Sequence, residues 1–250
     1  MNKLYDSLLY GEFIAAAAVF GLLFMLNAPY GRFHRSGWGP DIPARQAWFF
    51  QEFPAFATIL VLFILSNKSP NVTSWIFLFI WELHYFHRTF VYPFRFGSGA
   101  KPYPLILVVM AIVFNLVNGF INGYYLFHLA DYAETWIYDP RFIIGFMIFI
   151  AGYLINKKSD KQLRELKRQS DGQYSLPRGG LFRWVSCPHY FGEILEWTGW
   201  ALLTWSLPGL AFAVFTFANL APRAWAHHRW YHKNFSNYPV KRKALIPFLW

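Results

Sequence analysis

Long apolar stretches, separated by short polar ones, dominate the pattern along this chain of 250 residues. A helix needs about 20 consecutive apolar residues to cross the hydrocarbon core of a bilayer, and about seven stretches approach that length. They lie at residues 8–26, 46–65, 72–91, 103–127 and 140–155, and two more share 191–225 and divide near Pro208 and Gly209. The pattern predicts an all-α integral membrane protein with about seven transmembrane helices.

The composition supports a chain embedded in lipid. Charged residues make up 14% of it, whereas they make up about a quarter of a soluble domain. Aromatic residues reach 22%, and Trp and Tyr concentrate at membrane interfaces. The first apolar run has no small-residue cleavage site, so we interpret it as a span rather than a signal peptide. The single Cys187 excludes an internal disulfide.

Positive charge falls on one predicted side of the membrane. With seven spans, all of the 23 basic residues except Lys3, Lys68 and Arg141 lie in or beside the first, third and fifth loops or in the C-terminal segment. The positive-inside rule makes that side cytoplasmic, which predicts an outside N-terminus and a cytoplasmic C-terminus. The net charge of +10 thus follows from topology, and we expect no nucleic-acid partner.

Ionisable residues inside the predicted spans mark candidate chemistry, because they are costly there without a partner or a function. The second span carries the pair Gln51 and Glu52, and the third carries Tyr85. Burial favours the neutral form of a carboxyl group, which can donate a hydrogen bond, and Tyr85 can donate one to a carbonyl group. The alternatives are a Glu that joins two helices and a tyrosine of the interfacial belt.

His84 and His87 lie three residues apart at the end of the third span, beside Arg88. Two histidines at this spacing can ligate a metal ion, but no third ligand stands at a known motif spacing and H-E-x-x-H is absent. We predict no metal site.

A basic segment between the fifth and sixth spans precedes a helix mouth that carries Glu193 and Glu196. Arg164 and Lys167 are spaced i, i+3 and suit a phosphate group, particularly a 2′-phosphate. Contact with anionic lipid is the alternative. No G-x-G-x-x-G motif follows a predicted strand, so a Rossmann domain is not expected.

A further group of polar residues lies near the C-terminus. Arg223, His227 and Tyr231 are spaced i, i+4 and i+8, which places them on one stripe of a helix. Such a stripe can line a polar cofactor pocket, and the alternative is a helix end that reaches toward the interface.

Five longer motifs stand out along the chain, at residues 48–54 (WFFQEFP), 84–92 (HYFHRTFVY), 176–182 (LPRGGLF), 191–197 (FGEILEW) and 242–248 (RKALIPF). Together they resemble one family, the steroid 5α-reductases or 3-oxo-5α-steroid 4-dehydrogenases. The resemblance covers most of the chain from about Tyr30 onward.

The resemblance implies a multi-pass membrane enzyme that uses NADPH to reduce the C4–C5 double bond of a lipophilic 3-oxo-Δ4-steroid. By motif, Glu52 and Tyr85 would hydrogen-bond the C3 carbonyl group, with Gln51 in support. Ser175 and His189 depart from the pattern, which has an arginine and an asparagine there. The implied cofactor residues are Asn156, Asp160, Arg164, Lys167, Tyr174, Glu193, Trp197, Arg223, His227, Tyr231, Arg242 and Lys101.

The expected organisation is one domain over residues 1–250, with substrate-side helices in 2–90 and cofactor-side helices and basic loops in 140–250. Its membrane would be the bacterial inner membrane or the endoplasmic reticulum, according to the host, with the site open to the cytoplasm. We expect membrane lipid as a partner, and the resemblance implies no obligate protein partner. The alternatives are a reductase of another lipidic enone, a related methyltransferase using S-adenosylmethionine, or a lipid-binding or transport protein.

Overall fold

A computed structural model of the chain describes residues 3–97, 100–170 and 173–250. Residue 2, where the predicted substrate-side part begins, lies outside the described residues. The helices are α1 (Lys3–Met25), α2 (Ala44–Ile64), α3 (Val72–Phe86), α4 (Leu105–Tyr124), α5 (Pro140–Gln169), α6 (Pro188–Thr204) and α7 (Leu207–Asn234). Two strands of two residues each, β1 (Asp41–Ile42) and β2 (Tyr103–Pro104), pair antiparallel with Asp41 opposite Pro104. The fold is therefore all-α, as predicted.

Single turns of other helix types extend or connect these helices. A π-helix, His87–Val91, continues α3, and a second, Tyr125–Leu129, continues α4. Short 3-10 helices occur at Gly31–Phe33, Pro93–Arg95, Glu134–Tyr138 and Gly180–Arg183.

Within the part of the chain that the structure describes, four helical segments are long and apolar enough to cross a membrane: α1, α2, Leu105–Leu129 and α5. This supports membrane association. Helices α3 and α6 have 15 and 17 residues, and the last part of α7 is polar. The seven-span topology and its orientation stay predictions.

The described chain forms two compact units. The first unit contains Met1–Glu12 and Ala28–Ile143, and the second contains Phe13–Asn27 and Ile144–Trp250.

Helices α2 and α4 pack closely within the first unit because α4 has two glycines at the contact. A Cβ atom on Gly119 would lie 3.2 Å from Thr58, and one on Gly123 would lie 2.9 Å from Leu62. Trp81 fixes α3 to α2 by donating from Nε1 to the Ala55 carbonyl oxygen at 3.0 Å. Helix α3 begins at an Asn71 cap, whose side chain accepts from the Ser74 N–H.

Helices α5 and α6 approach closely within the second unit through four glycines. A Cβ atom on Gly145, Gly152, Gly192 or Gly199 would lie 2.4–2.5 Å from a backbone nitrogen of the facing helix. Small residues at such spacing allow backbone contact between membrane helices. The contact sets the positions of the α5 and α6 side chains that follow it.

Two predicted boundaries in the second unit are wrong. Helix α5 continues to Gln169 without a break, whereas the prediction ended the span at residue 155 and began the basic segment between the fifth and sixth spans there. Apolarity ends near residue 155, but helix-forming residues continue. The break between α6 and α7 comes at Trp205, in the left-handed region with φ 44°, and at the Ser206 cap. Pro208 lies in the first turn of α7, where proline is favoured, rather than at the break.

Candidate active site

A buried polar group surrounds Glu52 in the first unit. Glu52 is 8% exposed. Arg88 donates from Nη2 to its Oε1 at 3.4 Å, and Gln51 donates from Nε2 to the same oxygen at 3.4 Å. The guanidinium group of Arg88 lies over the rings of Trp48, at 4.2 Å, and Tyr92, at 5.2 Å. Aromatic faces stabilise a buried cation, so this group combines ionic and ring contacts.

Neighbouring helices fix this group in place. Asn115 of α4 donates from Nδ2 to the Gln51 carbonyl oxygen at 2.5 Å, one residue before Glu52. Arg88 belongs to the π-helix that continues α3, and π-turns occur frequently at functional sites. No role was predicted for Arg88 from the sequence. A cation inside an apolar span is a signal by which its functional role could have been predicted.

Tyr85 lies in the last turn of α3 and is 3% exposed. Its ring packs against those of Trp81 and His84, with both centroid distances 5.0 Å. Glu52 and Tyr85 are thus both buried polar residues of the first unit. Within the described residues, no group of three or more His, Cys, Asp or Glu side chains is placed to hold a metal ion.

Asn156 connects α5 to α6 in the second unit. Its Nδ2 donates to the His189 carbonyl oxygen at 3.0 Å and to Glu193 Oε2 at 3.2 Å, while no described residue donates a hydrogen bond to its buried Oδ1. The structure therefore brings the predicted residues Asn156 and Glu193 together. Glu196, at the same helix mouth, is fully buried.

The predicted stripe on α7 is confirmed, because Arg223, His227 and Tyr231 all lie on that one helix. Arg223 donates from Nη2 to the Tyr190 hydroxyl oxygen at 3.0 Å, and that hydroxyl lies 3.4 Å from His227 Nε2. Tyr190, which joins the stripe to α6, was missed by the sequence analysis. No local signal separates it from the other aromatic residues.

Arg242 is held deep in the second unit by the C-terminal segment. Ser186 and Cys187 donate their backbone N–H groups to the carbonyl oxygens of Lys243 and Ala244 at 2.9 and 3.2 Å, and this pairing carries Arg242 inward until it is 3% exposed. Burial lowers the pKa of its guanidinium group, although Tyr238 and Tyr231 oppose the shift.

Some N–H groups of the Arg242 guanidinium group make no hydrogen bond to the described residues. Its Nη2 donates to the Pro177 carbonyl oxygen at 3.2 Å, but Nε and Nη1 are buried and have no hydrogen-bond partner among the described residues. The ring of Tyr238 lies 5.1 Å from the guanidinium carbon. A buried charge with unmatched donors is costly, so the arrangement suits an anionic ligand such as a phosphate group.

The other predicted cofactor residues take varied positions. Asp160 is buried, and Arg164 and Lys167 are half-buried further along α5. The ring of Tyr174 lies 5.7 Å from that of Trp230. Trp197 is enclosed by Phe149 and Phe212 in the interior of the second unit. Lys101 is exposed and belongs to the first unit.

Ser175 and His189, the two residues that depart from the family pattern, both contact neighbouring residues. Ser175 lies 2.6 Å, oxygen to oxygen, from Ser170, so it makes a local contact near the end of α5. His189 offers its backbone carbonyl group to Asn156, and its ring packs on Tyr190 at 4.2 Å.

Comparison with known proteins identifies a family. Residues 101–250 match the family model described as 3-oxo-5-alpha-steroid 4-dehydrogenase. The chain is 44% identical to 3-oxo-5-alpha-steroid 4-dehydrogenase 1 of Macaca fascicularis, covering 99% of this chain and 95% of the relative. It is 44% identical to steroid 5-alpha-reductase DET2 of Arabidopsis thaliana over 92% of this chain and 90% of that one. Human 3-oxo-5-alpha-steroid 4-dehydrogenase 2 is 48% identical over 83% and 82%.

The fold is helical, and polar groups are buried among its apolar helices. The relatives that it matches are enzymes. The chain belongs to the 3-oxo-5-alpha-steroid 4-dehydrogenase family, whose members are oxidoreductases that act on CH–CH bonds.

Proposed function

We propose that this protein uses NADPH to reduce the C4–C5 double bond of a 3-oxo-Δ4-steroid. The matched relatives are named 3-oxo-5-alpha-steroid 4-dehydrogenase or steroid 5-alpha-reductase. The observation that carries the proposal is the buried group in which Arg88 and Gln51 donate to Glu52. A small set of fixed polar groups among aromatic rings suits one carbonyl oxygen on an otherwise apolar ligand.

Reduction of a conjugated enone places negative charge on its carbonyl oxygen as the β-carbon accepts hydride. We assign Glu52, in its protonated form, and Tyr85 as hydrogen-bond donors to that oxygen. Gln51 supports Glu52, and Arg88 supplies a fixed positive charge beside it. One such preorganised donor contributes about 3–4 kcal/mol in a site that excludes water, and the surrounding rings exclude water here.

The second unit supplies all but one of the residues assigned to NADPH, which when bound provides the hydride. Arg242 would donate to a phosphate group of the cofactor, and Arg164 and Lys167 would contact its 2′-phosphate. Asn156, with its unmatched Oδ1, and Glu193 would make further polar contacts. The remaining residues assigned to the cofactor are Asp160, Tyr174, Trp197, Arg223, His227, Tyr231 and Lys101.

The proposed topology has seven spans, with the basic loops and the C-terminus in the cytoplasm. The nucleotide would then enter from the cytoplasm, and the steroid from the lipid. The membrane would be the bacterial inner membrane or the endoplasmic reticulum.

A panel of enones tests this proposal. Purified protein in lipid nanodiscs receives NADPH and either a 3-oxo-Δ4-steroid, a polyprenol-derived enone or a long-chain enoyl compound, and cofactor oxidation is followed. We expect oxidation with the steroid. Oxidation only with another enone would support a reductase but replace the steroid as its substrate class. Absence of saturable NADPH binding would overturn the proposal.

A further inference from the structure

A groove of about 530 Å³ lies on the second unit, and none of the residues assigned to the substrate or the cofactor lines it. Side chains of α5 form one wall, and the 3-10 helix at Gly180–Arg183 forms the other together with Trp184. The two walls meet at Gln162, because a Cβ atom on Gly180 would lie 3.3 Å from the side-chain oxygen of Gln162.

The groove is on the side of α5 that faces away from the residues assigned to the cofactor. Successive residues of an α-helix are rotated by about 100°. Relative to Asn156, the residues Asp160 and Lys167 are therefore rotated by only about 40° and 20°. Lys158 and Gln162, which line the groove, are rotated by about 200° and 240°. A ligand in the groove would thus be separate from a nucleotide on the other side of the helix.

Two cations line this groove, Lys158 on the α5 wall and Arg183 on the other wall. Both side chains are exposed, and no carboxylate among the described residues forms a salt bridge with either. Lys161, by contrast, lies 3.8 Å from Glu165 on the same helix. Like charges in one groove repel each other, and an anion that contacts both offsets this repulsion. The groove therefore favours an anionic ligand.

An apolar stripe on the surface of α5 leads to Lys158. Ile144, Met147, Ala151 and Leu154 are all exposed, and together with Lys158 they are spaced i, i+3, i+7, i+10 and i+14, which places them on one face of the helix. The stripe from Ile144 to Leu154 is about 15 Å long. This is half of the roughly 30 Å hydrocarbon core of a bilayer, so the stripe matches an acyl chain of one leaflet.

Trp184 indicates the depth of the groove in the membrane. It lines the groove and is 47% exposed, and its ring packs at 4.9 Å against that of Phe248, which is 69% exposed. Exposed tryptophan is typical of the interface, where headgroups meet acyl chains. Apolar stripe, interfacial aromatic residue and cations thus follow one another in the order of the parts of a phospholipid.

We propose that this groove binds one anionic phospholipid, with its phosphate group on Lys158 and Arg183 and an acyl chain along the α5 stripe. Both cations suit a phosphate group, and Gln162 can donate from its amide to a phosphate or glycerol oxygen. A choline headgroup carries a cation that the two basic residues repel, so phosphatidylglycerol is selected over phosphatidylcholine. A lipid that contacts both walls should stabilise the protein.

Titration with phosphatidylglycerol tests this inference. Delipidated protein in detergent receives the lipid, bound lipid is counted by native mass spectrometry, and the melting temperature is recorded. The variants are Lys158→Gln, Arg183→Gln and the two combined, and the control is Lys161→Gln, which removes a charge from the same helix outside the groove. We expect the Kd to rise about fivefold in each single variant and about 30-fold in the double variant. The control should bind like the wild type.

Two comparison ligands separate the lipid from its parts: phosphatidylcholine with the same chains, and glycerol phosphate without chains. Neither should raise the melting temperature as phosphatidylglycerol does. An unchanged Kd in the double variant, or equal weakening in Lys161→Gln, would overturn the inference. So would stabilisation by glycerol phosphate that the double variant loses, because the site would then take free phosphate. Lipid binding and melting are measured without turnover, so the result does not depend on the proposed reaction.

Discussion

Two buried arginines, one in each unit, make different contacts with their surroundings. Arg88 is 9% exposed, and it pairs with Glu52 and lies over the rings of Trp48 and Tyr92. Arg242 is 3% exposed, yet it donates to a backbone carbonyl oxygen, and two of its nitrogen atoms have no hydrogen-bond partner among the described residues. Arg88 is already stabilised by side chains of its own unit, which suits a neutral ligand oxygen nearby. Arg242 has unmatched donors within the described residues, which suits an anionic ligand.

Loss of a donor in the first unit should give the largest effect. Tyr85→Phe removes one proposed donor to the substrate oxygen without changing the ring contacts. We expect kcat/KM to fall by about 100-fold or more, while the Kd for NADPH stays within about twofold of the wild-type value. Steady-state kinetics and a separate cofactor titration give both numbers.

Glu52→Gln should show the same separation of turnover from cofactor binding. It also replaces the carboxyl group that accepts from Arg88 with an amide, so its melting temperature must be measured alongside. Near-wild-type turnover in both variants would refute the assigned roles of Glu52 and Tyr85.

Removal of the unmatched cation in the second unit should give the opposite signature. Arg242→Met eliminates a buried charge with unsatisfied donors, so the protein without cofactor should melt at the same or a higher temperature. The affinity for NADPH should fall by about 10- to 100-fold, and the rise in melting temperature on adding NADPH should shrink accordingly. Arg229→Met, at an exposed position of the same unit, is the control. Unchanged NADPH affinity in Arg242→Met would contradict the assignment.

Discrimination between cofactors should change by a smaller factor. Arg164→Gln and Lys167→Gln each remove a proposed contact to the 2′-phosphate, so the ratio of NADPH to NADH affinity should fall by about tenfold. Binding of NADH itself should not change. If both cofactors weaken equally, these residues act on the shared part of the nucleotide or on lipid.

A modest pH effect should come from His228, which lies beyond residue 225, where the last predicted span ends. Its Nδ1 is 2.8 Å from both Ser186 Oγ and Tyr238 Oη. Burial, together with His232, Arg242 and Lys243, lowers its pKa to about 4. The unfolded chain binds a proton near pH 6.5 and the folded chain only near pH 4, so stability should fall as pH drops between these values.

Melting temperatures across that pH range test this, and His228→Gln should flatten the dependence. An identical slope in the variant would assign the effect to other groups.

Local spacing in the sequence was enough to predict some parts of this structure and not others. Arg223, His227 and Tyr231 share α7 because helical periodicity alone decides it. Hydropathy placed the end of α5 too early, because it marks where apolar residues end and not where the helix ends.

Tertiary contacts decide the rest. That Asn156 meets Glu193 depends on glycines in two helices, and that Arg242 is buried depends on pairing of the C-terminal segment with residues 184–187. Arg88 carried a signal in the sequence, a charge inside an apolar span.

The fate of the hydride tests the proposed reaction most directly. Purified protein is given a 3-oxo-Δ4-steroid and NADPH deuterated at the transferable position, and the product is examined by NMR and mass spectrometry. We predict a 5α-dihydro steroid with deuterium at C5, formed by the wild type and reduced at least about 100-fold in Tyr85→Phe. An unchanged steroid in the presence of bound NADPH, or deuterium at any other carbon, would contradict the proposed function.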